Sequence, residues 1–429
     1  ILIMLSKDEI KQILADQHAA ILAKQIGIKR TLLSQIEKTI PLPQVIVITG
    51  MRRVGKSTLM RQIIHQYYKD ERFYYINFED ERLFNFKAED FNFLYEALIE
   101  LYGEQKTFFI DEIQNIEHFE NFVRRFYDSN FKFFITGSSA RLLSMELGTK
   151  LTGRHFDIVV RPFSFHEYLS LKKVTVDKEM LYNTVERTKI KSHFRNYLFN
   201  GGMPEYLLYN EPEILAHIYE DIVIKDIAVR YGVANLSEMR DIYLYLITNV
   251  GNKFSYNKLK TISNVGSIST IKNYLQYLCE TYFLQIINKF DYSLKKQIVN
   301  EKKAYLVDNG FFKVLSTKIT QDVGWLLENL VCNVLIPNQQ LYYFNDKYEC
   351  DFVIQEDHKT FAAVQVTTEI NEANEKREYN GLLNALKTFE LNEGLILTFD
   401  QESNIRLDNK TLHIKPVWKW ILETEADVR

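Results

Sequence analysis

Apolar residues recur at helical spacing through Ile10, Ile13, Leu14, Ile21, Leu22 and Ile26, which predicts helices over residues 7–38. Pro41 and Pro43 close this arm. The pattern then changes to short unbroken apolar runs separated by longer helix-period stretches. QVIVITG, RFYYINF, KTFFIDE, FKFFITG and HFDIVV each read as a buried strand. Between them KSTLMRQIIHQYY, AEDFNFLYEALIELYG, HFENFVRRFYDS and SARLLSMEL carry helical patterns. Five strands alternating with helices predict a parallel α/β sheet ending near Tyr168.

Residues 171–250 are mostly helical, with a break at FNGGMPEYL. Residues 254–290 give a helix, a turn at SNVGS, a second helix and the strand-like YFLQIINKF, which is helix-turn-helix order with a wing. Leu259, Ile262, Ile268, Ile271, Leu275 and Leu278 are its expected core, and Ser267 or Ser269 its expected cap. From about residue 300 the pattern is mixed. A helix is expected over 324–336, strands near 341, 351 and 361, a helix over 374–389 and a strand over 394–399. The reading is therefore an α/β chain with an arm (1–40), a parallel-sheet domain (41–170), a helical lid or linker (171–250), a winged helix (251–300) and a C-terminal α/β domain (301–429).

Composition narrows the partners. The 429 residues suffice for about three domains at ~150 residues each. Lys and Arg number 53 against 56 Asp and Glu, so contact with nucleic acid must come from a local patch. Lys272, Asn273 and Gln276 would be exposed on the second helix of the helix-turn-helix, types that reach phosphates and base edges. Lys295, Lys296, Lys302 and Lys303 add charge that Glu280 and Asp291 dilute. The same unit would serve equally as a lid or protein contact. Cys279, Cys332 and Cys350 form no C-x-x-C pair and the nine histidines no ligand spacing, which points away from zinc and disulfides and fits a reducing cytoplasm. No apolar run reaches the ~18 residues of a membrane span. The opening ILIML is too short for a signal peptide; because it lacks an initial Met, the native start is expected at Met4 or upstream.

The chemistry is concentrated in TGMRRVGKSTLM, residues 49–60. Gly50, four residues, Gly55, Lys56 and Ser57 spell a phosphate-binding loop, placed after an apolar strand and before a helix. Backbone N–H groups of Arg53, Val54, Gly55 and Lys56 would face the phosphates, with Thr58 following in the helix. Lys56 would reach the β- and γ-phosphates, and Ser57 would ligand Mg²⁺. In TFFIDEIQ, Asp111 ends a strand where it would hold Mg²⁺ through water, and Glu112 is placed to activate the attacking water. Thr136 or Ser138, at the end of FKFFITGSS, would sense the γ-phosphate; Ser138 or Ser139 fits a helix cap as well. Arg154 precedes the last strand, where it would act as a finger on a neighbouring subunit's nucleotide. NKFD at 288–291 matches a guanine-reading motif, but it lies outside the five-strand unit and is expected as a turn in the wing. ATP is therefore the expected nucleotide.

TGMRRVGKSTLM, FFIDEIQNI, FITGSSARLL, LTGRHFDIVVRPFSFHEYL and GGMPEYL together resemble the prokaryotic AAA-family ATP-binding proteins that carry a C-terminal domain of unknown function. The resemblance implies an AAA-type five-stranded core, with Lys56 and Ser57 in the phosphate loop, Asp111 and Glu112 as the Walker B pair, Ser138 or Thr136 as sensor and Arg154 as finger. The C-terminal stretch resembles the PD-(D/E)xK restriction-endonuclease-like pattern. Glu328 and Asp351 are present, but Gln365 and Thr367 stand at the Glu and Lys positions. A neutral Gln is a poorer Mg²⁺ ligand, so nuclease activity is not expected unless the site migrates to Glu369. The expected activity is ATP hydrolysis coupled to movement of C-terminal modules, with DNA and further copies of the chain as candidate partners and no membrane. The alternatives are an ATP-bound switch that recruits a protein, and an ATP-regulated nuclease.

Overall fold

The structure is a computed structural model describing residues 6–69, 73–139, 151, 153–177, 183–316, 322–336, 340–356 and 359–427. The expected helix SARLLSMEL lies almost wholly outside these residues. By packing the chain divides into two units. One comprises residues 1–161 with 280–282, the other 162–279 with 283–429.

The first unit is built on five parallel strands, β1 (Val45–Thr49), β2 (Tyr74–Asn77), β3 (Thr107–Asp111), β4 (Lys132–Gly137) and β5 (His155–Val159), in the order β2-β3-β4-β1-β5. All five residues of β1 are buried, as a central parallel strand covered on both faces requires. β3 and β4 pair Phe108 with Phe133 and Phe109 with Phe134. Strand alternation sends the first pair to one face and the second to the other. Both pairs stack, at 5.1 and 4.6 Å between centroids, each contributing about 0.5–1.5 kcal/mol beyond area burial. The helices are α1 (Lys7–Ala23), α2 (Leu33–Glu37), α3 (Lys56–Tyr67), α4 (Phe91–Tyr102) and α5 (Phe119–Tyr127). The arm thus packs within this unit, α1 against α4 and β2 and α2 against α3. The helical stripe is shorter than expected, because Leu22 and Ile26 are exposed and the chain leaves the helix at Lys24.

The second unit begins with α6 (Phe165–Leu171), α7 (Thr184–Asn200), α8 (Pro204–Tyr209) and α9 (Pro212–Asp221), which runs into a π-helical turn over Ile222–Val229. The GGMPEYL break has a steric cause. Asp308 accepts from the N–H of Gly202, and a Cβ at Gly201 would fall on the same carboxylate. At Gly202 a Cβ would lie 2.2 Å from the Phe163 carbonyl oxygen. Next come α10 (Leu236–Thr248), β6 (Lys253–Phe254), α11 (Tyr256–Ser263), α12 (Ile268–Glu280), β7 (Leu284–Lys289), α13 (Leu294–Val299) and β8 (Lys302–Leu306). Ser267 caps α12, accepting from the N–H of Thr270 at 3.0 Å. Leu259, Ile271, Leu275 and Leu278 are buried, but Ile262 and Ile268 are exposed, and Val265 in the turn fills the core instead.

The remaining elements are α14 (Asn309–Leu315), α15 (Val323–Leu335), β9 (Gln340–Asn345), β10 (Glu349–Glu356), β11 (Lys359–Val366), α16 (Glu375–Thr388), β12 (Glu393–Thr398), β13 (Ser403–Leu407), β14 (Lys410–Pro416) and α17 (Val417–Asp427). All the strands of this unit join one sheet, ordered β13-β14-β12-β11-β10-β9-β7-β8-β6. The stretches 251–300 and 301–429 therefore share a sheet, since β7 pairs antiparallel with β8 and parallel with β9. Asn288 and Lys289 of NKFD are not in a turn. They end β7, paired with Tyr342 and Tyr343.

The buried Asp308 carboxyl is pushed up to about 6 by loss of water, against the opposing pull of two backbone N–H groups. A raised carboxyl pKa favours the protonated form in the fold, so its stabilising share is present below about 3.8 and lost as pH rises through about 6. A rise of that size corresponds to about 3 kcal/mol. Equilibrium unfolding should show the parent losing about that much relative to Asp308→Asn between about pH 4 and 7. A pH-independent difference would contradict the assignment.

Candidate nucleotide site

β1 delivers the chain to Gly50, whose φ of 144° suits glycine. A Cβ there would lie 2.3 Å from the Val160 carbonyl oxygen, so the loop is pressed against the end of β5. Arg53 (φ 60°) and Gly55 (φ 101°) turn the loop into α3. No side chain caps the N-terminus of this twelve-residue helix, so its first N–H groups remain available to an anion, with the helix dipole behind them. Lys56, Ser57 and Thr58 form that first turn. The buried Lys56 ammonium donates to the carbonyls of Gly50 and Met51 at 3.2 and 3.3 Å and lies 3.5 Å from Glu112 Oε1.

β3 brings Asp111 to the same end of the sheet. Its carboxylate is buried and accepts from the Thr136 hydroxyl, and the Ser57 and Tyr75 hydroxyls lie near it. Burial, then repulsion from Glu112, pushes its pKa above the ordinary carboxylate range, while Thr136, Ser57 and Lys56 oppose the shift. Glu112 follows in the left-handed region, at φ 53°. Its N–H donates to Thr136 Oγ1 at 2.9 Å. Thr136 is therefore fully engaged inside the protein, tying both acidic residues to β4. Ser138 reaches Glu112 indirectly, because Gln114 Nε2 donates to Glu112 Oε2 and, at 3.4 Å, to Ser138 Oγ. Gly50, Lys56, Ser57, Asp111, Glu112, Thr136 and Ser138 thus converge.

Arg154 does not join them. It precedes β5 beside Val45, whose N–H donates to its carbonyl, and its guanidinium pairs with Asp128 at 2.8 Å. The five residues of β1 separate it from the loop, roughly 15 Å along the strand.

Two contributors lie outside the motifs. Arg30 is buried and donates to the Val54 carbonyl at 3.1 Å and the Arg161 carbonyl at 2.5 Å, bracing the loop from behind. Tyr282 donates to Thr49 Oγ1 at 2.8 Å, at the end of β1. No local pattern in the sequence announces either.

The second unit holds a separate cluster. Glu328 on α15, Glu349 and Asp351 on β10 surround the Lys303 ammonium of β8 at 2.9, 2.9 and 3.5 Å. Tyr305 donates to Glu328 at 2.6 Å. Gln365 bridges the Asp351 N–H and Glu378 Oε2. Lys303, Glu328, Glu349, Asp351, Gln365 and Thr367 line a cavity of about 510 Å³. Burial, then Glu328, pushes the Asp351 carboxyl up to about 7. A lysine thus enters the cluster from β8 rather than from β11. Among the described residues no group of three or more His, Cys, Asp or Glu side chains is arranged to hold a metal.

Residues 42–169 match the model of an AAA domain, and residues 191–322 that of the domain of unknown function DUF8612. The uncharacterized protein MJ1544 of Methanocaldococcus jannaschii is 35% identical over 396 residues, 88% of each chain. The chain belongs to one family with MJ1544. An uncharacterized protein of Haemophilus influenzae shares 32% identity over 298 residues, 66% of this chain and 72% of that protein. Domain III of the Thermotoga maritima replication initiation protein DnaA is similar at 14% identity and a TM-score of 0.27, covering 47% of this chain and 90% of that one. The N-terminal part of the chain is an AAA-type α/β domain, followed by a second α/β unit. No helix among the described residues is long and apolar enough to cross a membrane.

Arg30→Met would leave the Val54 and Arg161 carbonyls short of a donor. Unsatisfied buried acceptors cost about 1–3 kcal/mol each. Denaturant unfolding should show a loss of at least about that size, with weakened nucleotide binding. Unchanged stability and affinity would remove Arg30 from the loop's support.

Proposed function

We propose that this protein binds ATP with Mg²⁺ and hydrolyses it, and that the cycle moves the modules of the second unit. The carrying observation is the convergence of the Gly50–Ser57 loop, the open N-terminus of α3 and the Asp111–Glu112 pair. The residues fit the ligand. Glycine is required where the loop meets Val160, the helix offers unpaired N–H groups, and Lys56 supplies positive charge. Ser57 and Asp111 would hold Mg²⁺, which supplies charge stabilisation on the phosphate oxygens. Lys56 orients the β- and γ-phosphates. Glu112 accepts the proton of the attacking water, with Thr136 fixing its backbone and Gln114 its carboxylate. Ser138 bears on this site through Gln114. Arg154 lies at the opposite end of β1 from its own loop and pairs with Asp128, so its role as a finger requires a second subunit, and we infer a homo-oligomer.

Three finer readings follow the same line. The α10–α12 helices with the β7–β8 hairpin have winged-helix order, and DNA is the partner that suits them. Tyr282, bonded to Thr49, follows α12 by two residues, a short path by which the loop's state would reach that module. The C-terminal domain is read as a degenerate restriction-endonuclease-like fold, because Gln365 and Thr367 stand at the Glu and Lys positions of that pattern. Among the described residues no cysteine forms a disulfide, which suits a cytoplasmic site.

Lys56→Ala should abolish ATP binding in calorimetric titration. Glu112→Gln should retain binding and slow turnover by about 10²–10⁴-fold, the usual worth of a positioned base. Turnover at the parent rate in Glu112→Gln would sink the assignment of Glu112.

For Arg154, specific activity should rise with protein concentration. Arg154→Ala should lower it by about 10³-fold or more. Mixing inactive Arg154→Ala and Lys56→Ala proteins should restore part of it. A concentration-independent rate with no rescue leaves Arg154 as a structural partner of Asp128.

A further inference from the structure

The stretch 253–303 contains nine lysines and three acidic residues, in a chain whose net charge is -3. No acidic residue occurs between Lys253 and Cys279. Lys258 and Lys260 of α11 and Lys272, Asn273 and Gln276 of α12 are exposed. The connection from β7 to β8 adds a different chemistry. Tyr292, Leu294, Ile298 and Val299 are 81, 70, 53 and 73% exposed, with Lys295 and Lys296 exposed among them.

This connection is held in place. Lys302 Nζ donates to the carbonyls of Gln297, Ile298 and Asn300 at 3.2, 3.0 and 3.2 Å. Gln297 Nε2 donates to the Asp291 carbonyl at 2.6 Å, and the Ser293 N–H to Asp291 Oδ1 at 2.9 Å. Its base adjoins the helix pair, because Lys302 and Lys272 both lie over the Tyr256 ring, at 5.5 and 5.3 Å. Four large apolar side chains thus stand in water beside a helix face of lysine and amide groups.

We propose that the β7–β8 connection is a wedge for duplex DNA: Lys295 and Lys296 contact backbone phosphates, and Leu294, Ile298 and Val299, with Tyr292, press into a groove while α12 lies in the adjacent one. This deepens the reading of α11–α12 as a DNA-facing pair and rests on it. Charge complementarity selects the occupant. A polyanion uses the lysines, base edges use Asn273 and Gln276, and apolar side chains inserted between base steps unstack them. A lipid surface would use the apolar residues and lysines but leave the amide-bearing face of α12 idle.

The test uses the full chain and labelled duplexes of mixed sequence, followed by anisotropy and by 2-aminopurine fluorescence, which rises when a step unstacks. The parent should bind and raise the fluorescence. Lys272→Glu should weaken binding about tenfold or more, with a shallower salt dependence. Leu294→Ser with Ile298→Ser should weaken it about tenfold, leave the salt dependence unchanged and abolish the fluorescence rise; these positions are exposed, and circular dichroism should match the parent. If Lys272→Glu fails to bind while the Ser pair binds and unstacks as the parent does, the wedge is refuted and the helix face stands. No binding by the parent at low salt, or binding to anionic vesicles in preference to DNA, refutes both.

Discussion

The N-terminal unit depends on one buried carboxylate. Asp111 sits at the end of a central strand, cut off from water, where an uncompensated charge would be prohibitive. Its partners are therefore obligatory. Thr136 arrives from β4, Ser57 from the first turn of α3 and Tyr75 from β2, with Lys56 nearby. Satisfying Asp111 thus ties β3 to β4, with β2 and the Gly50–Ser57 loop close by. The hydroxyl that steadies Asp111 also receives the N–H of Glu112, so one threonine sets both acidic residues.

The second unit shows a different solution to the same difficulty. Glu328, Glu349 and Asp351 converge in a cavity, and the lysine that neutralises them comes from β8. Breaking such a pair leaves buried charge uncompensated, which costs more than the pair itself contributes. Lys303 therefore belongs to the frame of the sheet as much as to any pocket chemistry. It also joins the hairpin that follows α12 to the C-terminal strands, consistent with the continuous sheet.

Much of this was legible in the chain because the information was local. The strands of the first unit are contiguous apolar runs, and the phosphate loop has fixed spacing beside one of them. Asp111, Glu112 and Thr136 are strand-end residues whose neighbourhood follows from parallel order. Arg30 and Lys303 were not legible as contributors, since each acts across a gap in sequence that only the fold closes. The β13–β14 hairpin went unread because its residues are half exposed and its pattern weak. Its turn, Asp408–Asn409 with both φ positive, was the available signal. Ile262 and Ile268 were misplaced because periodicity gives a face of a helix, and the turn residue Val265 supplied the contact they were expected to make.

The central claim is that the loop and the acidic pair form a working hydrolytic site. Its most direct measurement is phosphate release from ATP by the purified protein, with Mg²⁺ and with the metal chelated. The account predicts turnover that requires the metal and saturates with ATP. Absence of turnover at saturating ATP and Mg²⁺ across a range of protein concentrations, or turnover indifferent to chelation, would contradict it.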